Sequence, residues 1–163
     1  MDAIDRVVMN ARLNHLGMAA RNGQPALKLA VLTCMDARVD PAAVLGLRPG
    51  DAHVIRNAGG RATGDALHAL AISQAVLGTR EILVMHHTDC AMNRFSQAEL
   101  AQRIVSATNH PFHDELEVFT DDNAAIIEDV GRIRVYASLA HRDHVRGFLY
   151  ELATDVLKEV IRQ

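Results

Sequence analysis

The sequence predicts an α/β fold in which a mostly parallel central sheet is flanked by helices. Short apolar runs alternate with segments of helical periodicity along the 163 residues, and strands that are separated by helices usually pair in parallel. The apolar runs are continuous rather than alternating, which is typical of strands buried on both faces. The sequence has no internal repeat, low-complexity segment or linker, so residues 1–163 are predicted to form a single domain.

The first half of the chain is predicted to contain three helices and two strands. In order, they are a helix at 2–22, a strand at 27–33, a short helix at 41–45, a strand at 52–56 and a helix at 66–77. Asp40 followed by Pro41 is a typical helix start, and Gly46 is a typical helix end. The glycine-rich segment 57–65 is predicted to be a loop.

The second half continues this alternation. In order, the predicted elements are a strand at 80–86, helices at 96–107 and 121–130, a strand at 133–138 and a helix at 144–161. The strand at 80–86 has three consecutive apolar residues, Ile82, Leu83 and Val84, at its centre. Open parallel sheets bind their ligands beyond the carboxyl ends of the strands. We therefore expect the functional site where the first three strands end.

The composition argues against several classes of partner. The net charge is −3 and aromatic residues make up 4% of the chain, so neither a basic face nor a base-stacking surface for nucleic acid is available. No apolar run reaches the 18 residues of a membrane span. The first ten residues carry acidic side chains and lack the apolar core of a signal peptide. We expect a cytoplasmic protein.

Three reactive side chains follow the first strand at every second position. In an extended chain Cys34, Asp36 and Arg38 would point to the same side. A guanidinium keeps a neighbouring carboxylate ionised and fixes its orientation. Beside a metal ion, Asp36 could therefore accept a hydrogen bond from bound water or bind the ion itself. The competing interpretation of Asp36 and Arg38 is an ordinary salt bridge in a loop.

A second group of metal-binding side chains follows the third strand. His86, His87 and Cys90 add an imidazole and a second thiol to Cys34, which is a ligand set suited to zinc. Spacing alone allows either histidine to join Cys90, but the two histidines point to opposite sides of an extended chain. Two cysteines and one histidine leave one position of a tetrahedral ion open for water, which is the pattern of a catalytic site.

Simpler interpretations of these residues also exist. An isolated buried cysteine is often only a small apolar side chain, but both cysteines here lie at strand ends and one of them is three residues from a histidine. The pairs His110/His113 and His141/His144 have spacings that suit a metal, yet no soft ligand is near them in the sequence. We therefore expect those pairs to be ordinary surface residues.

Three motifs together resemble the β-class carbonic anhydrases, most closely their small prokaryotic branch. They are CMDAR at 34–38, GDAHVIRNAGG at 50–60 and HTDC at 87–90, in the family's order and spacing. The resemblance covers residues 26–90 and continues more weakly through residues 129–134 and the predicted C-terminal helix. It implies a β-carbonic-anhydrase-like fold and the reversible hydration of carbon dioxide to bicarbonate and a proton by zinc-bound hydroxide.

The resemblance also assigns roles to residues. It implies one zinc ion per chain, held by Cys34, His87 and Cys90, and a catalytic pair formed by Asp36 and Arg38. The same resemblance implies that the loop segment Ala58, Gly59 and Gly60 shapes the substrate pocket. A nucleotide-binding role is disfavoured, because the loop has neither the Lys-Ser/Thr pair of a P-loop nor the G-x-G-x-x-G spacing of a dinucleotide-binding loop. It further implies a homodimer that in many relatives assembles to a homotetramer. One departure is Ala91, where the family usually has glycine.

Two other functions compete with carbon dioxide hydration. Relatives with the same fold and ligands hydrolyse carbonyl sulfide or carbon disulfide, and the width of the cleft that selects the substrate is not visible in the sequence. A protein of a different class would store zinc or sense oxidants, with Cys34 and Cys90 forming a reversible disulfide. A non-catalytic relative is disfavoured because every expected ligand and both members of the catalytic pair are present.

Overall fold

The computed structural model of the chain describes residues 3–13 and 22–162. Its strands are β1 (Leu29–Cys34), β2 (Ala52–Asn57), β3 (Glu81–His87), β4 (Val145–Glu151) and β5 (Val156–Ile161). Its helices are α1 (Ala3–Leu13), α2 (Pro41–Leu45), α3 (Gly64–Ala75), α4 (Ala91–Arg94), α5 (Gln97–Thr108) and α6 (Asp122–Val135), with a 3-10 turn at Ala58–Gly60. Within these ranges, no helix combines the length and the hydrophobicity that a membrane crossing requires.

The described strands form a five-stranded sheet in the order β2-β1-β3-β4-β5. β1 pairs in parallel with β2 and β3, β3 pairs in parallel with β4, and β5 runs antiparallel to β4 at one edge. The predicted α/β class with a mostly parallel sheet is therefore confirmed. Because β1 lies between β2 and β3, the carboxyl ends of these three strands lie side by side.

Helices cover both faces of this sheet. On one face Leu32 of β1 and Val84 of β3 pack in a buried cluster with Leu70 of α3 and Val130 of α6. On the other face Met85, the next residue of β3, packs against α2. Successive residues of β3 thus enter different clusters, as the two-residue period of a strand requires. The continuous apolar run at the centre of β3 is explained by this burial on both faces.

The first five predicted elements are present, with ends that differ by at most two or three residues except in the first helix. α2 begins and ends as predicted, because the Asp40 carboxylate accepts hydrogen bonds from the amides of Ala42 and Ala43, and Gly46 closes the helix with φ +64°. α1 confirms the first helix over 3–13. Residues 14–21 of the predicted helix 2–22 lie outside the described residues.

The prediction for the last thirty residues is wrong in two places. The segment 133–138 is not a strand, because α6 continues to Val135 and buries Ile133 one helical turn after Val130. Residues 144–161 do not form a helix but a hairpin of β4 and β5. A Cβ atom at Gly147 would clash with Ile126 of α6, so the glycine lets β4 lie directly against that helix. The loss of one predicted strand and the gain of this hairpin leave the fold class unchanged.

Candidate metal centre

Cys34, His87 and Cys90 meet at the carboxyl ends of β1 and β3. All three side chains are buried, and their ligand atoms all lie within 4.8 Å of one another. The two sulfur atoms are 3.9 Å apart. A tetrahedral zinc ion with sulfur ligands at about 2.3 Å would hold two sulfurs about 3.8 Å apart. The spacing of the thiols therefore fits a zinc ion between them.

The strands and one tight turn position these three side chains. Cys34 ends β1 and His87 ends the neighbouring parallel strand β3. Cys90 returns toward them because Asp89 takes a left-handed conformation, with φ +59°. The turn is tied to the sheet by the Thr88 amide, which donates to the Tyr150 carbonyl oxygen over 3.0 Å. The HTDC motif thus consists of the end of β3 and a turn that brings Cys90 back to Cys34 and His87.

The His87 ring is oriented as a metal ligand. Its Nδ1 atom is 2.9 Å from the Thr88 carbonyl oxygen, which can only accept, so Nδ1 carries the proton and Nε2 presents a lone pair. Nε2 is buried and lacks a partner of hydrogen-bond geometry. A buried nitrogen in this condition is costly unless an ion or water binds it. A carbonyl group that fixes the tautomer is the usual support of a metal-binding histidine.

The two thiols differ in their acidity although they face each other. A hydrogen bond from the Cys90 thiol lowers the pKa of Cys34 to about 4, against the burial that raises it; His87 and the backbone amides of Asp36 and Gly59 assist. The Cys34 thiolate raises the pKa of Cys90 well above its ordinary value, and burial adds to this. Burial opposes protonation of His87, yet the nearby Cys34 sulfur raises the His87 pKa. The contact thus favours the thiolate form at Cys34 and the protonated form at Cys90.

Asp36 and Arg38 form a two-pronged ion pair beside this cluster. Arg38 Nε donates to Asp36 Oδ1 over 3.0 Å, and Arg38 Nη2 donates to Oδ2 over 2.7 Å. These hydrogen bonds keep the pKa of the Asp36 carboxyl far below its usual range. Asp36 Oδ2 is 3.9 Å from His87 Nε2, so the carboxylate lies at the edge of the ligand cluster.

The predicted extended arrangement of these residues is only partly correct. β1 ends at Cys34, and residues 36–39 form a turn in which the Val39 amide donates to the Asp36 carbonyl oxygen. Asp36 and Arg38 come together because the Arg38 amide and side chain both donate to the Asp36 carboxylate. The turn, rather than strand alternation, brings the carboxylate to the ligands.

A small cavity opens beside the thiols. It has a volume of about 100 Å³ and a mostly apolar lining made by Cys34, Met35, Asp36, Ala58, Gly59, Cys90, Ala91 and Met92. The structure therefore brings Ala58 and Gly59 of the predicted pocket segment to the cavity. Gly60 instead packs on β1, where an added Cβ would lie 2.8 Å from the Thr33 carbonyl carbon. Ala91 begins α4 without a positive φ, so alanine is accommodated there.

Several supporting residues were not identified from the sequence. Arg56 of β2 donates to the backbone carbonyls of Cys34 and Asp36 and so braces the end of β1. Arg61 is buried after the 3-10 turn and pairs with the fully buried Asp129 of α6 over 2.8 Å. The position of Arg61 in a glycine-rich loop could have marked it as a structural residue, but its partner Asp129 is 68 residues away and no local pattern identifies it.

The other histidines in the described part of the chain do not join the metal cluster. His86 points away from His87 toward α6, where its Nε2 atom is 3.0 Å from Asp129 Oδ2 at an angle that does not satisfy hydrogen-bond geometry. Its ring stacks on Phe119 with centroids 5.5 Å apart. Within 3–13 and 22–162, Cys34, His87 and Cys90 are the only group of three or more metal-binding side chains that converge in this way. No such group includes the pair His110 and His113 or the pair His141 and His144.

Comparisons with known proteins agree with this geometry. The family model described as carbonic anhydrase matches residues 29–155. Beta-carbonic anhydrase 1 of Mycobacterium tuberculosis is 40% identical over 136 residues, which are 83% of each chain. A carbon disulfide hydrolase of an Acidianus strain is 32% identical over 157 residues, covering 81% of this chain and 76% of that protein.

A solved structure extends the likeness to the whole chain. The crystal structure of carbonic anhydrase from Streptococcus mutans superimposes with a TM-score of 0.90 at 34% identity, and the match covers 99% of both chains. The residues matched by the family model include the clustered Cys34, His87 and Cys90 as well as Asp36 and Arg38. On its sequence, its sheet topology and its cysteine–histidine cluster, the chain belongs to the β-carbonic anhydrase family.

Proposed function

We propose that the protein catalyses the reversible hydration of carbon dioxide to bicarbonate and a proton, with one zinc ion held by Cys34, His87 and Cys90. The observation that carries this proposal is the buried, unpartnered Nε2 atom of His87 beside two thiols at zinc-compatible separation. Three protein ligands leave one coordination position for a small molecule. Bound zinc would act as a Lewis acid that lowers the pKa of a water molecule and so supplies the nucleophile.

Asp36 and Arg38 orient the reacting water. Arg38 keeps the Asp36 carboxylate ionised, and Asp36 Oδ2 faces the ligand cluster as a hydrogen-bond acceptor. A water molecule that donates to this oxygen has its lone pair fixed in one direction, toward the cavity. If Arg38 released Asp36, the carboxylate could instead reach the open position and block it. Arg38 therefore decides which of the two roles Asp36 has.

The cavity suits a small, linear, apolar substrate. Its lining is mostly apolar, and its volume of about 100 Å³ admits a triatomic molecule but not a sugar or nucleotide. Ala58 and Gly59 form one wall, and Gly60 sets that wall against β1. We assign Ala58, Gly59 and Gly60 to substrate binding through the shape of this wall.

A second candidate substrate class is carbon disulfide or carbonyl sulfide. Both molecules are linear and apolar, so the same cavity and nucleophile suit them. The observation that favours this class is the 32% identity to a carbon disulfide hydrolase over most of both chains. Met35 and Met92 in the lining add polarisable sulfur, which is compatible with either class.

We further propose that the chain acts in the cytoplasm as a homodimer that can assemble to a homotetramer. Ile4, Val7 and Val8 of α1 are exposed by 71%, 59% and 46%, although each is apolar. Val54 of the edge strand β2 is also exposed. Exposed apolar side chains on a helix and on a sheet edge are typical of surfaces that a second subunit covers.

The deciding experiment is stopped-flow carbon dioxide hydration at about pH 8.5 on protein of measured zinc content, with Cys90→Ser as the parallel sample. Two thiolate ligands offset the charge of the ion and make the bound water less acidic, so activity should rise between pH 7 and 8.5. Fast turnover that follows zinc content and is lost in the variant would support the proposal. One zinc per chain without carbon dioxide turnover would reject it and make carbonyl sulfide the next substrate to assay.

A further inference from the structure

Arg38 has a second acidic partner in the turn that leads to Cys90. Arg38 Nη1 donates to Asp89 Oδ2 over 2.8 Å, and Arg38 Nη2 donates to the Asp89 carbonyl oxygen over 3.0 Å. Asp89 lies 51 residues from Arg38 in the sequence but directly precedes a proposed metal ligand. The guanidinium therefore links the turn after Cys34 to the turn before Cys90.

Asp36 and Asp89 bind Arg38 at the same time rather than in competition. Asp36 takes the Nε hydrogen and one hydrogen of Nη2, whereas Asp89 takes an Nη1 hydrogen and the other hydrogen of Nη2. Four hydrogen bonds thus fix the plane and the position of the guanidinium. Without the Asp89 carboxylate, Arg38 would lose the hydrogen bond of Nη1, and the guanidinium would be held less tightly by the bonds of Nε and Nη2 that remain.

The backbone of Asp89 is arranged for this contact. Its φ of +59° is unusual for a residue with a side chain, and aspartate is among the few residues that tolerate it. In this conformation the side chain and the carbonyl group of Asp89 both reach Arg38. Arg94 of α4 approaches the other carboxylate oxygen, with Nη1 and Oδ1 3.4 Å apart.

We expect this link to contribute little to the stability of the fold. The side chains of Arg38 and Asp89 are each about half exposed, at 49% and 52%. Ion pairs with this exposure contribute little to folding. The four contacts matter for geometry instead, because Arg38 determines where the Asp36 carboxylate lies.

We propose that Asp89 is a positioning residue that immobilises Arg38 and thereby keeps Asp36 turned toward the reacting water. The catalytic consequence rests on the function proposed above, but the immobilisation of Arg38 does not. Asp89 is not expected to touch the substrate, because it does not line the cavity. Its loss should therefore lower kcat and leave the carbon dioxide KM unchanged.

The test compares Asp89→Asn with a matched control, Asp143→Asn. Asparagine tolerates the left-handed backbone and nearly keeps the size of aspartate, so the turn before Cys90 is preserved. Asp143 is an exposed residue that precedes β4, at the amino ends of the strands and hence opposite the metal cluster. Its substitution removes the same charge without approaching Arg38. Each variant is made in the wild-type and the Arg38→Ala backgrounds.

Two readouts are measured on zinc-loaded protein: steady-state carbon dioxide hydration, and NMR relaxation of the Arg38 Nε–H group. We expect Asp89→Asn to make Arg38 Nε more mobile and to lower kcat by about threefold to fivefold, the scale of an exposed charge pair. KM and zinc content should stay at wild-type values. In the Arg38→Ala background, Asp89→Asn should cause no further loss of kcat. The Asp143→Asn variant should match the wild type in both readouts.

The outcomes separate this proposal from the proposed function. Unchanged mobility of Arg38 Nε in Asp89→Asn would overturn the positioning role, and so would an equal loss of kcat in the Arg38→Ala background. If the wild-type enzyme does not hydrate carbon dioxide, the proposed function fails. The NMR comparison then still decides whether Asp89 immobilises Arg38.

Discussion

Gly60 is the residue with the least freedom to change near the proposed site. Its φ is +70°, and an added Cβ would lie 2.8 Å from the Thr33 carbonyl carbon and 2.9 Å from the Cys34 nitrogen. Both neighbours are backbone atoms of the central strand and cannot move as a side chain would. The close approach of the 3-10 turn to β1 therefore requires glycine.

Replacing Gly60 with alanine should damage both folding and metal binding. We expect Gly60→Ala to lower the free energy of unfolding by about 2–4 kcal/mol, from the left-handed backbone and the overpacking together. It should also reduce zinc content, because the displaced backbone carries Cys34. Gly64→Ala is the matched control: nothing lies within 4 Å of its Cβ position, so that variant should be neutral or slightly stabilising. Denaturant unfolding and zinc analysis would check both; equal stability of the two variants would contradict the expectation.

The unequal thiols make a prediction about protons. In the metal-free protein at pH 7, Cys34 is already a thiolate because its pKa is lowered to about 4, whereas the raised pKa of Cys90 keeps that thiol protonated. The pKa of His87 is also raised, so part of the population carries a second proton there. Zinc requires both sulfurs ionised and the imidazole neutral. Zinc binding should therefore release between one and two protons per ion.

Calorimetric titration with zinc in buffers of different ionisation enthalpy measures this release directly. As pH falls from 7 toward 5, His87 becomes more fully protonated and the number of released protons should rise, while Cys34 contributes only near pH 4. The control is a pH titration of thiolate absorbance in metal-free Cys34→Ser, since without the neighbouring thiolate the pKa of Cys90 should fall toward its ordinary value. Release of fewer than one proton at pH 7 would show that Cys90 is ionised before the metal arrives.

At the scale of elements, α6 is tied to the glycine-rich turn through a buried ion pair. Asp129 of α6 accepts from Arg61 Nε over 2.8 Å and from the Ala62 amide over 3.0 Å, and both charged side chains are at most 1% exposed. Glu128, which pairs with another nitrogen of Arg61, is half exposed. Through Asp129, the helix therefore anchors residues 61–62, which follow the cavity-lining residues Ala58 and Gly59.

Removing the charge of Asp129 should be far more harmful than removing that of Glu128. Asp129→Asn leaves the buried Arg61 charge with the half-exposed Glu128 as its remaining carboxylate partner, and we expect a loss of about 3–5 kcal/mol in the free energy of unfolding. Glu128→Gln should cost about 0–1 kcal/mol, because the Glu128 carboxylate is half exposed and Arg61 keeps its buried partner Asp129. Urea unfolding of the two metal-free variants makes the comparison. Similar losses would mean that Arg61 depends on both carboxylates equally.

The elements around the site were predictable from local patterns, whereas the last hairpin was not. β1 and β3 are continuous apolar runs, and α2 has an acidic cap and a terminal glycine, so each carries its own signal. In residues 145–161 the apolar residues also fit a helical spacing. The choice of a hairpin depends on contacts with α6 and β3, which lie far away in the sequence.

The same distinction holds for the site. The motif residues Cys34, His87 and Cys90 follow strands whose carboxyl ends had to meet, so their convergence was expected from topology and is present in the structure. Arg61, Asp129 and Asp89 act through partners more than fifty residues away, and no local pattern pairs them. Which catalytic roles the converging residues have stays a prediction.

At the scale of the whole molecule, the apolar face of α1 is the clearest reason to expect a dimer. Ile4, Val7 and Val8 recur at helical spacing and remain exposed, so the single chain gives this face no cover within its described residues. A second subunit that buried them would recover about 25 cal/mol for each square ångström of apolar surface. The sheet edge at Val54 offers a second apolar contact that the same partner could cover.

A charge on this face should weaken the dimer without unfolding the chain. We expect Val7→Asp to shift the protein from dimer toward monomer at micromolar concentration, because a carboxylate cannot be buried in an apolar interface without a partner. Arg6→Gln changes the net charge by the same amount on the opposite side of the same helix, about 160° from Ile4 and Val8 and about 100° from Val7, and should leave the dimer intact. Size-exclusion chromatography with light scattering measures the mass, and circular dichroism checks that both variants remain folded. A wild-type monomer would reject the dimer itself, while a Val7→Asp dimer as stable as that of Arg6→Gln would place the subunit contact elsewhere, with the β2 edge as the next surface to alter.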